Sequence, residues 1–325
     1  MRLAILDDYQ RLALASADWE RLRRRGVEIA VFHEAFASRE EAAQKLAPFD
    51  ILVLMRERTP FPRALIETLG KLRFIALTGM RSPSLDIAYC TSRKIPISNT
   101  GPGRSTAITA ETAFGLVLAA ARDFANAARN MREGRWHEGL RGGTILECKR
   151  LGILGLGKLG TRVAGYARAF GMEVVAWSQN LTPARATEAN VKYVGKDELL
   201  KTADFISIHL VLSERTRGLI GAPELALMKP KAVLVNTSRG PIVDEKALIE
   251  ALSSGRLGHA ALDVFDREPL PAEHPLRKMP NVTLLPHLGY VAEEVYASFW
   301  SDCVENVEAW LAGKPIRVVN PEALA

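Results

Sequence analysis

The chain has 325 residues, a formal net charge of +6, 48% hydrophobic residues and 25% charged residues. These values are typical of a soluble globular protein. The length suffices for two domains, because single cores usually stop growing at about 250 to 300 residues. The longest apolar run, residues 113–121, is too short to span a bilayer. The composition therefore argues against a membrane protein.

The positive charge is scattered, apart from the run RLRRR at residues 21–25. This run fits the exposed end of an amphipathic helix better than a nucleic-acid site. The cysteines are odd in number and far apart, which fits reduced thiols better than a disulfide framework. They are Cys90, Cys148 and Cys303. Asp7 and Asp8 come too early for a signal peptide. We therefore expect a cytoplasmic protein that binds neither nucleic acid nor membrane.

Strands and helices alternate along the first hundred residues. The predicted strands are residues 2–6, 27–32, 51–55, 74–77 and 95–98. The predicted helices are residues 10–24, 39–46 and 62–69. This alternation predicts a parallel sheet flanked by helices. The turn-rich residues 99–104 predict a domain boundary. Residues 105–129, rich in Ala and Leu, predict one long helix that crosses to the next domain and lines the cleft.

A glycine motif follows this helix. Residues 151–160, LGILGLGKLG, predict a buried strand, a turn and the start of a helix, and residues 172–177 predict a second strand. Gly155 permits the tight turn, Gly157 lets a pyrophosphate approach the backbone, and Gly160 lets the helix pack on the sheet. The helix N-terminus offers N–H groups to the phosphates. The complete strand-helix-strand context predicts a dinucleotide site.

The second strand of the motif ends without an acidic residue, in Ser178, Gln179 and Asn180. A carboxylate there would bind both ribose hydroxyls and repel a 2′-phosphate. Ser178 and Asn180 can hydrogen-bond either cofactor. Lys158 and Arg185 are candidate phosphate partners, or ordinary surface cations. We therefore expect NAD(H) or NADP(H), with a slight preference for NADP(H).

The remaining elements complete a second parallel sheet. Further strands are predicted at residues 205–209, 232–236, 257–264 and 281–285, and a helix at residues 244–252. A last long helix, residues 291–312, would carry the chain back to the first domain. We predict that residues 1–99 and 289–325 form the substrate domain and that residues 100–288 form the cofactor domain.

Three side chains that follow predicted strands carry the chemistry: Arg239, Glu268 and His287. In a parallel sheet the carboxyl ends of strands face the ligand crevice. Arg239 can donate to a carboxylate and to a C2 oxygen. His287 can take the hydroxyl proton in oxidation and return it in reduction, while Glu268 orients the imidazole and stabilises the imidazolium. Alone, each could be an ordinary loop residue; together they predict hydride transfer with a 2-hydroxy acid.

The chain resembles the D-isomer-specific 2-hydroxyacid dehydrogenase family over nearly its whole length. The motifs that carry the resemblance are LGILGLGKLG, ISIHLVLSERTRGLIG, MKPKAVLVNTSRGPIVDEKALIEAL, AALDVFDREPLP and PHLGY. The resemblance implies two doubly wound α/β domains, with a Rossmann-type cofactor domain inserted in a flavodoxin-like substrate domain. It also implies hydride transfer with NAD(H) or NADP(H) and a homodimer built on the cofactor domains.

By motif match, Arg239, Glu268 and His287 take the family's catalytic positions. The pyrophosphate loop would consist of Gly155, Gly157, Lys158, Leu159 and Gly160. The match also implies that Asp263 holds the nicotinamide carboxamide. His209, Thr237 and Ser238 would line the cofactor path.

The chain departs from the family in the loop expected to hold the substrate carboxylate. This loop usually resembles GAGxDNxD, whereas residues 79–86 are GMRSPSLD. The resemblance implies backbone N–H contacts at Met80 and Arg81. The Arg81 side chain either adds a charge contact, which would suit a dicarboxylate or phosphorylated substrate, or points to solvent. Arg56, after the third strand, is a further candidate for substrate contact.

Two other functions remain open at this point. Relatives of this fold include dinucleotide-sensing proteins that act as co-repressors, and others oxidise formate or phosphite. The complete set of Arg239, Glu268 and His287 favours the dehydrogenase, which we expect to work mostly as a 2-keto acid reductase. No HExxH motif or paired Cys/His cluster occurs, so we expect no metal.

Overall fold

The computed structural model describes residues 1–80, 82–101 and 105–325. Its internal contacts divide the chain into two compact units, Met1–Ser105 with Val291–Ala325, and Thr106–Tyr290. The predicted limits, 99/100 and 288/289, lie a few residues from these, and the assignment of substrate and cofactor to the units stays a prediction. Within the described ranges, no helix is long and apolar enough to cross a membrane.

The first unit contains a parallel sheet of five strands in the order β2-β1-β3-β4-β5. The strands are β1 Arg2–Ile5, β2 Glu28–Val31, β3 Ile51–Leu54, β4 Phe74–Leu77 and β5 Ile97–Asn99. The helices of the unit are α1 Glu20–Arg23, α2 Arg39–Leu46, α3 Arg63–Ile66, α4 Ile87–Ser92 and α12 Glu293–Leu311. This is the flavodoxin-like strand order, whose direction reverses between β1 and β3.

The core of the first unit forms because its central strands are continuous apolar runs, which suit burial on both faces of a parallel sheet. Every residue of β3 and β4 is buried. Helix α12 packs on β4, where the Trp310 ring stacks on Phe74 with a centroid distance of 5.0 Å. Ser38 caps α2 by accepting a hydrogen bond from the N–H of Glu41. The carboxyl ends of β1 and β3 lead into loops.

The second unit contains a parallel sheet of seven strands in the order β12-β11-β10-β9-β6-β7-β8. They are β6 Arg150–Leu154, β7 Glu173–Trp177, β8 Lys192–Tyr193, β9 Phe205–Ile208, β10 Val233–Asn236, β11 His259–Leu262 and β12 Val282–Leu284. The order reverses between β6 and β9, as in a Rossmann sheet. The two sheets confirm the predicted fold class.

Seven helices of the described chain surround or adjoin this sheet. They are α5 Ser105–Arg122, α6 Phe124–Arg132, α7 Lys158–Ala169, α8 Pro183–Glu188, α9 Lys196–Thr202, α10 Ala222–Leu227 and α11 Glu245–Ser253. Asp244 caps α11 by accepting from the N–H of Ala247. Buried side chains of α7 face the sheet, and its N-terminus follows the glycine turn.

The helix predicted at residues 10–24 is wrong over most of its length, because only Glu20–Arg23 is helical. Competing hydrogen bonds take the backbone groups that a helix would use. The carboxylate of Asp8 accepts from the N–H groups of Leu12 and Ala13, and the Trp19 indole donates to the carbonyl of Ala13. Arg11 also has a left-handed backbone, with φ of 57°.

The single helix predicted at residues 105–129 is also wrong, since α5 and α6 are separated at Asp123. Asp123 has φ of 56°, and its carboxylate accepts from the side chains of Asn126 and Arg141 and from the Arg141 N–H. These bonds stabilise the interruption. The predicted crossing between domains stays a prediction, and residues 102–104 of the predicted boundary lie outside the described chain.

Candidate active site

The glycine turn lies where the seven-stranded sheet reverses its strand order. Gly155 has φ of 103°, and a Cβ there would lie 2.6 Å from the carbonyl oxygen of His209, just after β9. A Cβ on Gly160 would collide with the carbonyl oxygen of Gly155. A Cβ on Gly157 would meet no atom of the described residues within 4 Å. Two glycines therefore allow close packing, while the third leaves open space at the N-terminus of α7.

Two buried polar atoms near the ends of β9 and β10 have no hydrogen-bond partner within the described ranges: His209 Nδ1 and Thr237 Oγ1. The other ring nitrogen of His209 lies 2.9 Å from Ser207 Oγ. Burial lowers the pKa of His209 to about 4, so its ring is neutral at physiological pH. Ser238 Oγ donates to the carbonyl of Ile208 at 2.7 Å.

These features fit a dinucleotide. Buried polar atoms normally have partners, and two without them at a ligand crevice are suited to a bound molecule. Lys158 and Leu159 begin α7, with Lys158 exposed. After β7, Ser178 is half-buried and Asn180 is exposed. Arg185 is exposed on α8.

His287 and Glu268 form a direct pair, with 2.5 Å between His287 Nδ1 and Glu268 Oε2. The other carboxylate oxygen accepts from the N–H of Phe265 at 2.9 Å. Burial acts to raise the pKa of Glu268, but the hydrogen bond and charge of His287, the Phe265 N–H and the charge of Arg239 outweigh it. The pKa of Glu268 therefore lies below its ordinary value. The pair thus consists of an ionised carboxylate and an imidazole whose Nδ1 donates to it.

Asp263 fixes the loop that carries His287. Its two carboxylate oxygens accept from the N–H groups of Leu288 and Gly289 at 2.6 and 2.8 Å, and its carbonyl accepts from the His287 N–H at 2.9 Å. Burial raises the pKa of Asp263. The sequence did not indicate this contact, because its partners lie more than 20 residues away.

Arg239 follows β10 and lies in a loop packed against the one that leads to Glu268. A Cβ on Gly240 would collide with the backbone of Phe265. The Arg239 carbonyl accepts from Asn236 Nδ2 at 2.9 Å, and Arg239 Nη1 donates to the carbonyl of Ser238 at 2.7 Å. The structure therefore brings Arg239, Glu268 and His287 to one edge of the second unit.

The predicted substrate residues of the first unit also lie together. Arg56 follows β3, and its Nη1 would be 3.4 Å from a Cβ on Gly79. The neighbouring Met80 is 55% exposed, and its carbonyl accepts from Asn99 Nδ2 at 3.1 Å. Arg81 lies outside the described residues. Arg239, predicted to share the substrate, belongs to the second unit.

A glycine turn at the reversal of a parallel sheet, with a histidine-carboxylate pair at the same edge, defines a dinucleotide-dependent α/β oxidoreductase. Residues 114–289, more than half of the chain, match the family model described as D-isomer specific 2-hydroxyacid dehydrogenase, NAD binding domain. The chain belongs to the D-isomer-specific 2-hydroxyacid dehydrogenase family, as the sequence motifs predicted.

Individual relatives agree with this assignment. The chain is 37% identical to a glyoxylate reductase of Korarchaeum cryptofilum, over 90% of this chain and 89% of that protein. It is 37% identical to a D-3-phosphoglycerate dehydrogenase of Methanocaldococcus jannaschii over 85% of this chain, but spans only 52% of that longer protein. It is similar to the crystal structure of a phosphoglycerate oxidoreductase of Vibrio cholerae, with a TM-score of 0.90, 34% identity and coverage of 96% and 99%.

The protein is thus a nicotinamide-dependent 2-hydroxyacid oxidoreductase with an NAD-binding domain. The alternative of a dinucleotide-sensing protein finds no support among these relatives, which are named as enzymes.

Proposed function

We propose that this protein reduces a small 2-keto acid to the D-2-hydroxy acid, with His287 as the general acid and, in reverse, the general base. The observation that carries the proposal is the 2.5 Å pair of His287 and Glu268 beside the Arg239 loop. This pair lies on the same sheet edge as the glycine turn, where a parallel sheet binds its ligands.

The proton path follows from the protonation of the pair. Glu268 is held ionised by its lowered pKa, so it accepts from His287 Nδ1. This leaves His287 Nε2 to donate a proton to the keto oxygen or to take one from the hydroxyl. The carboxylate stabilises the imidazolium and keeps the ring in one orientation.

The remaining residues hold the substrate and the cofactor. Arg239 offers a planar set of donors to the C1 carboxylate and the C2 oxygen. Arg56 and the backbone of Met80 and Arg81 are proposed as further carboxylate contacts. A nicotinamide bound there would supply the hydride for C2 in reduction and accept it in oxidation.

The dinucleotide would bind along the carboxyl edge of the seven-stranded sheet. Two observations support this placement: the open position at Gly157, and the lack of a hydrogen-bond partner for His209 Nδ1 and Thr237 Oγ1 among the residues that the structure describes. The proposed cofactor contacts also include Gly155, Lys158, Leu159, Gly160, Ser178, Asn180, Ser238 and Asp263. A modest preference for NADP(H) is part of the proposal, because the end of β7 carries Ser178 instead of a carboxylate.

A homodimer and a cytoplasmic location complete the proposal. The family resemblance supports the homodimer. The three cysteines, none of them in a disulfide, support a reducing compartment.

The direct test is oxidation of NADH and NADPH by the purified protein with glyoxylate, hydroxypyruvate, pyruvate, phenylpyruvate and oxaloacetate. We expect turnover with at least one acid, and D-specific oxidation in the reverse direction. A protein that binds the dinucleotide but turns over none of these acids would contradict the proposal.

The cofactor preference has its own test, Ser178→Asp. We expect the ratio of kcat/KM for NADPH to that for NADH to fall by about tenfold or more, because a carboxylate binds the ribose hydroxyls and repels a 2′-phosphate. Ser178→Ala is the matched control. An unchanged ratio in Ser178→Asp would show that this position does not contact the ribose.

A further inference from the structure

Two buried threonines follow adjacent strands of the five-stranded sheet. Thr78 comes directly after β4 and Thr100 directly after β5, and both are 0% exposed. Thr78 Oγ1 accepts from the N–H of Arg56 at 3.0 Å. Thr100 Oγ1 accepts from the N–H of Gly79 at 2.7 Å. Each hydroxyl thus binds the backbone of a loop that neither the local pattern nor the family motifs connect to it.

Asn99, directly before Thr100, supplies a third contact to these loops. Its side-chain Nδ2 donates to the carbonyl of Met80 at 3.1 Å. Its own carbonyl accepts from Asn306 Nδ2 at 2.8 Å, and Asn306 is 0% exposed on α12. Asn306 in turn accepts from Arg317 Nη1 at 2.9 Å. The loop at Met80 is therefore tied through Asn99 to the core of the first unit.

The loops that these side chains hold have unusual backbones. Arg56 has φ of 53° and Gly79 has φ of 79°. A left-handed conformation is unfavourable for arginine, and such residues persist only where their surroundings fix them. They cluster at ligand sites, because a fixed backbone can present its groups to a ligand without further ordering. The threonine hydroxyls supply part of that fixation.

We infer that Thr78, Asn99 and Thr100 are positioning residues for the substrate. They hold the Arg56 loop and the Gly79–Met80 loop in the geometry that binds the C1 carboxylate, without touching the substrate themselves. This inference rests on the proposed function, in which Arg56 and Met80 contact the substrate.

The test uses pairs of variants that differ in one hydroxyl. Thr100→Val keeps the shape of the side chain but removes the acceptor for the Gly79 N–H, whereas Thr100→Ser keeps the acceptor. Thr78→Val and Thr78→Ser repeat the comparison at the Arg56 loop, and Asn99→Ala removes the third bond. The control is Ser98→Ala, on the same strand, where a buried hydroxyl donates instead to the carbonyl of Ile316 at 2.6 Å.

Four quantities are measured for each full-length variant. They are KM and kcat for the best 2-keto acid, the Kd of NADH, and the Kd of oxalate as an unreactive probe in the presence of NADH. We expect each Val variant and Asn99→Ala to raise KM and the oxalate Kd by about tenfold. In the Val variants a loop N–H loses its acceptor, and in Asn99→Ala the Met80 carbonyl loses its donor. The Kd of NADH should stay within about twofold, and the Ser variants should recover most of the affinity.

The outcomes separate this inference from the proposed function. Wild-type KM and oxalate affinity in the Val variants, or an equal loss in Ser98→Ala, would overturn the inference. An equal loss in the Val and Ser variants would also overturn it, because packing and not the hydroxyl would then be responsible. If one Val variant fails to fold, the other and Asn99→Ala decide. A wild-type protein that binds NADH but neither binds oxalate nor reduces any keto acid would overturn both proposals.

Discussion

A carboxylate lies at the carboxyl edge of each sheet, and the pKa values of the two are shifted in opposite directions. In the first unit Asp7 follows β1, and burial raises its pKa despite the charge of Arg58 and hydrogen bonds from Thr59 Oγ1 at 3.0 Å and Tyr9 OH at 3.2 Å. In the second unit, His287, Phe265 and Arg239 together outweigh burial and lower the pKa of Glu268. The surroundings of each acid decide the direction in which its pKa is shifted.

The difference separates two tasks. The edge of the seven-stranded sheet stabilises charge through a histidine, an arginine and backbone N–H groups, which suits proton transfer. At the edge of the five-stranded sheet, hydroxyl and amide contacts fix the backbone of the Arg56 loop and of the Gly79–Met80 loop. We therefore expect changes at the edge of the seven-stranded sheet to reduce kcat. Changes at the edge of the five-stranded sheet should alter the affinity for the acid.

The largest effect should come from His287→Ala. We expect kcat for keto acid reduction to fall by about 10³-fold, because the general acid is lost. The Kd of NADH should hardly change. The matched control is His274→Ala, which removes another histidine of the second unit, paired with Glu245 at 3.1 Å. Turnover is measured by NADH oxidation. Near-normal turnover in His287→Ala would contradict the assignment of proton transfer to the edge of the seven-stranded sheet.

A smaller effect is expected for Gly157→Ala. The added methyl meets no atom of the described chain within 4 Å, so the thermal midpoint should stay within about 2 °C of wild type. The Kd of NADH should rise by about tenfold or more, because the methyl occupies the space meant for the pyrophosphate. Gly70→Ala, equally open and in the first unit, serves as control. Normal NADH binding, by fluorescence titration, would place the pyrophosphate elsewhere.

The smallest effects concern stability against pH. A raised folded pKa means that folded Asp7 binds more protons than the unfolded chain above its ordinary value of 3.8. The contribution of Asp7 to the free energy of unfolding therefore falls as pH rises from the ordinary value through the raised folded pKa. Glu268 has a lowered folded pKa, so its contribution is present above the ordinary value of 4.5 and is lost as pH falls through the folded value.

Asp7→Asn should consequently leave the free energy of unfolding at pH 7 unchanged or raise it by about 1 kcal/mol, and Glu268→Gln should lower it by about 1 kcal/mol. Urea unfolding between about pH 4 and pH 8 measures both variants. Changes of the same sign in the two variants would refute the contrast between the two acids.

The parts that the sequence predicted best depend on local sterics or on a topological rule. The turn at Gly155 needs a positive φ, and the glycine spacing predicts it directly. Arg239, Glu268 and His287 follow strand ends, and parallel pairing brings strand ends to one edge. Only the order of apolar runs is needed for that prediction.

The parts that it missed depend on contacts between distant residues. The Asp8 carboxylate and the Trp19 indole prevent a helix that the apolar spacing of residues 10–24 indicated. Thr78 and Thr100 bind loops 22 and 21 residues away, and a threonine after a strand carries no local signal of such a partner. Only the folded chain reveals these hydrogen bonds.

The collision that any side chain at Gly240 would have with the Phe265 backbone has a consequence for how this enzyme could diversify. The loops of Arg239 and Glu268 are in backbone contact there, so a change in the length or conformation of one loop would displace the other. Under the proposed function, we therefore expect variation in the accepted acid to arise in the first unit, at loops such as that of Met80. The reaction chemistry would then be inherited as one block, and the choice of substrate would be the part left free to evolve.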